Sequence, residues 1–299
     1  MPRRIRITLA YDGTEFHGWQ IQPGLPTVQG TLSGAIHHAI GERVLPQGSG
    51  RTDAGVHALG QVASFSLEAP IPPARLQYTL NRCLPSSIRI LSAELAPPTF
   101  HARHSALSKT YEYRIFPLRP STETEGPHLA SEMSVQDSIC PPFLAPYVWP
   151  CPWPIQLDAL NQAARHVLGT HDFTSFAASD PDFAASVSAV ADPPQHLADA
   201  WDPERAALAR STVRAITHSC WHAADGPFIY RVTANGFLHH MVRNLVGTFV
   251  QAGAHRIDPD SIPELLAACN RSVAGPTAPP TGLFLVSVDY PPLNLEPSA

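Results

Sequence analysis

The sequence contains 299 residues, enough for one large domain or two medium ones. Hydrophobic residues make up 44% of it and charged residues 15%, which excludes a disordered chain. The formal net charge of −5, taken alone, disfavours a nucleic-acid-binding protein. However, Lys109 is the only lysine, so nearly all of the positive charge is arginine, which binds phosphates and base edges better than lysine does.

Membrane and secretion signals are not expected from this sequence. It has no apolar stretch of the roughly 18 residues that span a bilayer, and no apolar region follows the basic residues at the N-terminus. The five cysteines form no C-x-x-C pair and no zinc-finger spacing, which is typical of reduced thiols. We therefore expect a cytoplasmic protein with no membrane partner.

Apolar periodicity predicts an α+β unit in the first third of the chain. In order, we predict a strand over 4–11, a helix over 29–40, a strand over 61–67, a helix over 73–83 and a strand over 88–95. Either Thr27 or Thr31 could cap the first helix. Strands alternating with helices in this way are typical of an α+β fold.

The rest of the chain predicts a second α+β unit with interruptions. In order, we predict a strand over 110–116, a proline-rich loop over 118–154, a helix over 157–168, an irregular stretch over 177–205, paired strands over 213–222 and 228–234, helices over 239–253 and 259–268, and a strand over 283–290. We therefore predict domains over 1–105 and 106–291, insertions near 121–154 and 180–210, and a flexible tail over 292–299.

A glycine-rich stretch is the strongest candidate site. Glycines at 48, 50, 55 and 60 bracket Arg51 and Asp53. Glycine allows a ligand to approach the backbone closely, and an aspartate beside an arginine is favoured as the carboxylate. Asp53 is thus a candidate nucleophile or general base. The motif alone fits equally well a structural turn with a local contact between Arg51 and Asp53.

Two further residues bear on that choice. Tyr111 lies on a predicted strand, where an aromatic ring either packs in the core or stacks on an extruded base. Arg243 lies in an otherwise apolar predicted helix. It is expected either to pair with a carboxylate such as Asp53, because an unpaired buried charge is costly, or to extend to solvent.

Metal and cofactor sites are not indicated. His239 and His240 are adjacent, and neighbours on a helix point about 100° apart, without an accompanying set of ligands at metal spacing. We interpret them as packing or phosphate-contacting residues. The sequence contains no Walker A, GxGxxG, GxSxG or HExxH motif. We therefore expect no metal and no cofactor.

Together these residues resemble the TruA family of tRNA pseudouridine synthases. The matching segments occur in family order: Tyr11-Asp12-Gly13-Thr14 with Phe16 to Gln20; Val28-Gln29; Gly50 to Ala58 with Gly60 to Val62; Phe100 to Arg103; Lys109 to Tyr113; Asp172 to Phe176; Phe237 to Gly247; and Gly282 to Leu285 with Asp289-Tyr290. One such motif would be weak evidence, but agreement from near residue 11 to near residue 290 makes chance implausible.

The resemblance implies a fold, a reaction and a partner. The fold would be two α/β domains forming an extended, mostly antiparallel sheet, with helices on one face and a central active-site cleft. The enzyme would be an isomerase, an intramolecular transferase, converting uridine to pseudouridine at positions 38 to 40 of the tRNA anticodon stem-loop without cofactor or metal. It would be a homodimer that binds tRNA and not DNA.

The resemblance also implies roles for individual residues. Asp53 would attack the target nucleotide, at either the ribose C1′ or the base. Tyr111 would pack on the target base, and Arg243 would pair with Asp53 and orient it. Arg51 would occupy the space that the flipped nucleotide leaves, and Leu283 would line the pocket. Arg103 and His57 would join Arg51, Tyr111 and Leu283 in binding the substrate.

Two departures from the family leave alternatives open. The insertions near 121–154 and 180–210 look longer than the family norm, and Ala177-Ala178-Ser179 replaces a segment where relatives commonly carry a basic or cysteine residue. The same chemistry could therefore act on other RNA positions. A non-catalytic RNA-binding or RNA-folding protein on the same scaffold is the second alternative, although it should have lost Asp53, Tyr111 or Arg243.

Overall fold

A computed structural model of the chain describes residues 2–118, 139–178 and 211–292. Its strands are β1 (Arg3–Tyr11), β2 (Gln47–Gly48), β3 (His57–Leu67), β4 (Ile88–Leu95), β5 (Ser108–Pro117), β6 (Trp149–Cys151), β7 (Gly169–Asp172), β8 (Val213–Ala223), β9 (Phe228–Ala234) and β10 (Leu283–Asp289). Its α-helices are α1 (Val28–Ile40), α2 (Pro73–Cys83), α3 (Leu157–Arg165), α4 (Met241–Gly253) and α5 (Ile262–Ala267). Within these described ranges, every helix is too short or too polar to cross a membrane.

The chain packs into two compact units. Of the described residues, the first unit contains 2–109 and 284–292, and the second contains 110–118, 139–178 and 211–283. Except for its first residue, Leu283, strand β10 therefore belongs to the first unit. Sequence order alone groups this strand with the C-terminal half, because periodicity does not tell which sheet a returning strand joins.

The first unit is a sheet with two helices packed together. Its strand order is β4-β1-β3-β10, with β2 beside β3. Strands β1 and β4, β1 and β3, and β2 and β3 run antiparallel, whereas β10 runs parallel to β3. The alternation in β1 buries Ile5, Ile7 and Leu9 completely. Helix α1 begins after Thr27, whose Oγ1 accepts a hydrogen bond from Gly30 N at 3.3 Å, so Thr27 is the cap.

The strands of the second unit follow the order β5-β9-β8-β7, with β6 beside β5. Strands β7, β8 and β9 are antiparallel neighbours, and β6 runs parallel to β5. Helix α3 packs against β8 and α4. The rings of Tyr230 on β9 and Phe249 on α4 meet edge to face, 5.4 Å apart, and both are fully buried.

The structure confirms the α+β class and corrects several local predictions. Strand β6 lies inside the stretch that we interpreted as a loop, since prolines are tolerated in so short an edge strand. Helix α4 begins at Met241 and excludes His239 and His240, because His240 has a left-handed backbone with φ 58°. Strands β2 and β7 are too short to show periodicity. The insertion predicted near 180–210 lies outside the described residues.

Candidate active site

Asp53 lies in a tight loop between β2 and β3 of the first unit. Its backbone oxygen accepts a hydrogen bond from Val56 N at 3.2 Å, and Gly55 has a positive φ of 77°. The residue is half-buried, whereas Arg51 two positions earlier is exposed. The loop thus presents a carboxyl group and a guanidinium at different depths, and Arg51 is the more accessible of the two.

The segment from β1 to Trp19 holds one side of this loop. Trp19 N donates to Thr52 O at 3.0 Å, and Gly55 N donates to Phe16 O at 3.2 Å. The hydroxyl of Tyr11, the last residue of β1, lies 2.8 Å from Thr52 Oγ1. Because these contacts bracket Asp53, its backbone is fixed before any substrate arrives, which is what the predicted role of a nucleophile would require.

Two glycines allow this segment to approach the loop. A Cβ on Gly13 would lie 2.0 Å from Val56 O, and one on Gly18 would lie 2.5 Å from Thr52 O. Gly18 also has a positive φ of 85°. Both positions therefore require glycine. The motif Tyr11-Asp12-Gly13-Thr14, recognised in the sequence as a family signature, is explained here as a support for the Asp53 loop.

The other side of the loop is held by polar side chains. Ser49 Oγ donates to Gln61 Oε1 at 2.6 Å, and Gln61 Nε2 donates to Gly50 O at 3.0 Å. Lys109 Nζ donates to Ser49 O at 2.6 Å. Sequence reasoning assigned no role to Ser49 or Gln61. The only signal was that a buried polar residue interrupts the apolar positions of β3, and this does not reveal its partner.

His57 and Arg103, both expected to bind substrate, differ in their surroundings. Arg103 is exposed. His57 is only 1% exposed, and its Nδ1 accepts a hydrogen bond from Gly13 N at 3.1 Å. Its ring is stacked on Phe284 of β10, with centroids 4.6 Å apart. An exposed arginine can reach an RNA surface, whereas the contacts of His57 are with the interior of the first unit.

The second unit holds Tyr111 and Leu283. Tyr111 lies on β5, is 7% exposed, and meets the ring of Phe237 edge to face at 5.0 Å. Leu283, at the start of β10, is 6% exposed. Tyr111 is therefore largely packed, and its burial does not by itself decide between the two alternatives raised by the sequence.

Arg243 is held by backbone groups of the second unit. It is half-buried near the start of α4. Its Nε donates to Ala278 O at 2.8 Å, and Ala278 N in turn donates to its backbone oxygen at 3.1 Å. The guanidinium is therefore anchored at Nε. His239 and His240 precede the helix, and their rings lie 4.0 Å apart, so the helical argument against a shared ligand does not apply to them.

Comparison with known proteins identifies the group to which these features belong. The profile of a family described as tRNA pseudouridine synthase matches residues 7–105 and 196–291. The chain belongs to this family. It is 44% identical to tRNA pseudouridine synthase A of Solibacter usitatus over 289 residues, 96% of this chain and 100% of the relative. Proteins of the same name from Moorella thermoacetica and Bacillus pumilus are 40% and 37% identical, each over 96% of this chain and 99% of the relative.

The tRNA pseudouridine synthase profile covers most of the predicted site residues. The positions inside it are Arg51, Asp53, His57, Arg103, Arg243 and Leu283. Tyr111 falls between the two matched ranges. Within the first unit, Arg51 and Asp53 lie in one loop, and His57 is the first residue of β3, directly after that loop. Arg103 belongs to the same unit, and Tyr111, Arg243 and Leu283 belong to the second.

Proposed function

We propose that this chain isomerises uridine to pseudouridine at positions 38 to 40 of the tRNA anticodon stem-loop, with Asp53 as the nucleophile. The observation that carries the proposal is the loop of Asp53, a half-buried acid whose backbone is held from both sides by buried hydrogen bonds. Membership of the tRNA pseudouridine synthase family supports the reaction class.

The reaction changes one bond without net oxidation. The Asp53 carboxylate attacks the target nucleotide, the bond between N1 of the base and the ribose C1′ breaks, and the base rotates. A new bond then forms from C5 of the base to C1′, the bond between Asp53 and the nucleotide breaks and restores the carboxylate, C5 loses its proton, and N1 gains one. Atoms and electrons balance, so the isomerisation consumes no co-reactant.

The remaining residues are assigned roles by the same proposal. A base inside a stem must leave the stack before it can react. Tyr111 provides the aromatic surface for the extruded base and assists the late removal of the proton. Arg243 pairs with Asp53 and orients it, and its anchoring through Ala278 O supports a fixed orientation. The exposed Arg51 and Arg103 contact the RNA, and Leu283 lines the base pocket.

The proposal includes an assembly and a compartment. We infer a homodimer, as the resemblance implies, acting in the cytoplasm on tRNA. Light scattering coupled to size-exclusion chromatography measures the mass directly. A mass near 32.3 kDa, that of one chain, would contradict the dimer.

The test is an assay of the purified protein on unmodified tRNA transcripts, with pseudouridine mapped by chemical labelling and primer extension. Three transcripts carry a single uridine at position 38, 39 or 40, and a fourth carries cytidine at all three. We expect one modified site in each of the first three and none in the fourth. Modification only at other positions would contradict the assigned target, and tight binding without modification would identify a non-catalytic RNA-binding protein.

A further inference from the structure

His57 is the buried residue at which the Asp53 loop enters the sheet. It is the first residue of β3 and lies opposite Phe284 of β10 in the parallel pair. The two rings are stacked at 18°. At 1% exposure, His57 has no surface on which a tRNA could lie. Its position therefore does not favour the substrate-binding role that the family resemblance implies.

The hydrogen bond from Gly13 defines the state of the ring. Because Nδ1 accepts a hydrogen bond from Gly13 N at 3.1 Å, the proton of the neutral imidazole is on Nε2. Asp12 Oδ1 lies 3.2 Å from Nδ1, but it already accepts from Thr14 N at 3.0 Å and from Thr14 Oγ1 at 2.6 Å. If Nδ1 carried the proton, it would donate to Asp12. The buried Gly13 N would then lose Nδ1 as its acceptor.

We propose that His57 is a positioning residue whose Nδ1, by accepting from Gly13 N, sets the place of Asp53. The inference rests on the proposed function, in which Asp53 is the nucleophile. It replaces the expectation that His57 binds the substrate directly.

The packing shows how a displacement of Gly13 would be transmitted to Asp53. Gly13 and Val56 are so close that a Cβ on Gly13 would lie 2.0 Å from Val56 O. Val56 N donates to Asp53 O at 3.2 Å, so a displacement of the turn at Gly13 is passed to the peptide of Asp53. Displacement of a reacting group by about 1 Å can lower a rate about a hundredfold.

Three substitutions of His57 test the hydrogen-bond acceptor at Nδ1 and the size of the side chain separately. His57→Asn keeps an oxygen near the place of Nδ1. His57→Leu has a similar shape without an acceptor, and His57→Gln keeps an amide but moves it toward the place of Nε2. We expect kcat to fall between about tenfold and a hundredfold in the Leu and Gln variants, with the KM for tRNA changed less than about twofold, and to be largely retained in the Asn variant.

Hydrogen exchange of a peptide covering residues 12–17 gives a readout that does not depend on catalysis. The amide of Gly13 should exchange faster in the Leu and Gln variants than in wild type, and the Asn variant should restore its protection. If His57→Leu does not fold, the comparison of His57→Gln with His57→Asn still shows whether an acceptor at the place of Nδ1 is needed.

Two outcomes would overturn the inference. A raised KM with unchanged kcat would make His57 a substrate contact, and equal kcat and exchange in all variants would remove any role for Nδ1. Wild type and Asp53→Ala are assayed in parallel. An inactive wild type contradicts the proposed function, whereas an active wild type with uniform His57 variants contradicts only the role of His57.

Discussion

The phenolic oxygen of Tyr11 lies 2.8 Å from Oγ1 of Thr52, the residue immediately before the proposed nucleophile. Both residues are buried, at 4% and 6% exposure. Burial raises the pKa of Tyr11 to about 12, so the hydroxyl stays neutral across the physiological range. Strand β1 of the first unit is thereby joined directly to the loop of Asp53.

Tyr11→Phe tests this contact. The variant leaves the buried Thr52 hydroxyl without the Tyr11 partner, so the free energy of unfolding should fall by about 1 kcal/mol, and kcat should fall with it. Urea unfolding and the tRNA assay measure the two effects. Tyr78→Phe, at a 53% exposed tyrosine of α2, is the control and should change neither quantity.

Wild type and Tyr11→Phe should also differ in how their stability depends on pH. Because the pKa of Tyr11 is about 12 in the folded chain and 10.0 for an unperturbed tyrosine, the folded state binds this proton more tightly. Its contribution is therefore complete below pH 10 and is lost as the pH rises toward 12. Wild type should lose more stability than Tyr11→Phe between these values. Equal losses would show that Tyr11 titrates normally.

Gly13→Ala should destabilise the protein through the approach to Val56 O. A methyl group at 2.0 Å from a backbone oxygen forces the turn and the loop apart, at a cost of about 1–3 kcal/mol. Gly34→Ala is the matched control, since its Cβ would meet nothing within 4 Å on an exposed face of α1. It should stabilise the helix by about 0.5–1 kcal/mol. Equal melting temperatures for the two variants would contradict the packing described for Gly13.

Tyr111 is tested by a pair of substitutions that separate ring from hydroxyl. Tyr111→Phe keeps the aromatic surface and should retain tRNA affinity while lowering kcat, because the late proton transfer loses its group. Tyr111→Leu should lose about 1–3 kcal/mol of binding as well, the value of one base stacked on an aromatic ring. Full activity of the Phe variant would remove the hydroxyl from the mechanism.

Arg243→Ala should lower kcat by about a hundredfold or more, because the electrostatic support of the nucleophile is lost. Arg243→Lys retains the charge but not the planar donor at Nε that binds Ala278 O, so it should recover only part of the rate. Arg165→Ala, at an exposed position of α3, is the charge-matched control. An unchanged rate in Arg243→Ala would reject the assigned role.

Much of the fold could be predicted because its elements are long and periodic. The pattern in β1, with Ile5, Ile7 and Leu9 buried, marks both the strand and its inner face. The start of α4 was predicted wrongly because the residues before Met241 continue an acceptable helical pattern. The left-handed backbone of His240 that ends that pattern depends on tertiary packing.

The site was only partly predictable from sequence. The glycines identified the loop of Asp53, but no sequence pattern shows that Thr52 contacts Tyr11, or that Gln61 binds both Ser49 and Gly50. These contacts depend on how the folded chain brings the loop beside β1 and β3, which periodicity does not reveal. His57 shows the same limit: its place in the motif suggested the substrate, whereas its burial could be seen only in the folded chain.

The most direct test of the account is single-turnover conversion of an anticodon stem-loop by Asp53→Ala beside wild type. Glu68→Ala, which removes an exposed carboxylate of the same unit, is the control. We predict that Asp53→Ala lowers the rate by at least about a thousandfold while tRNA affinity and the melting temperature stay close to wild type, and that Glu68→Ala behaves as wild type. Conversion of uridine by purified Asp53→Ala at a rate near that of wild type would contradict the account.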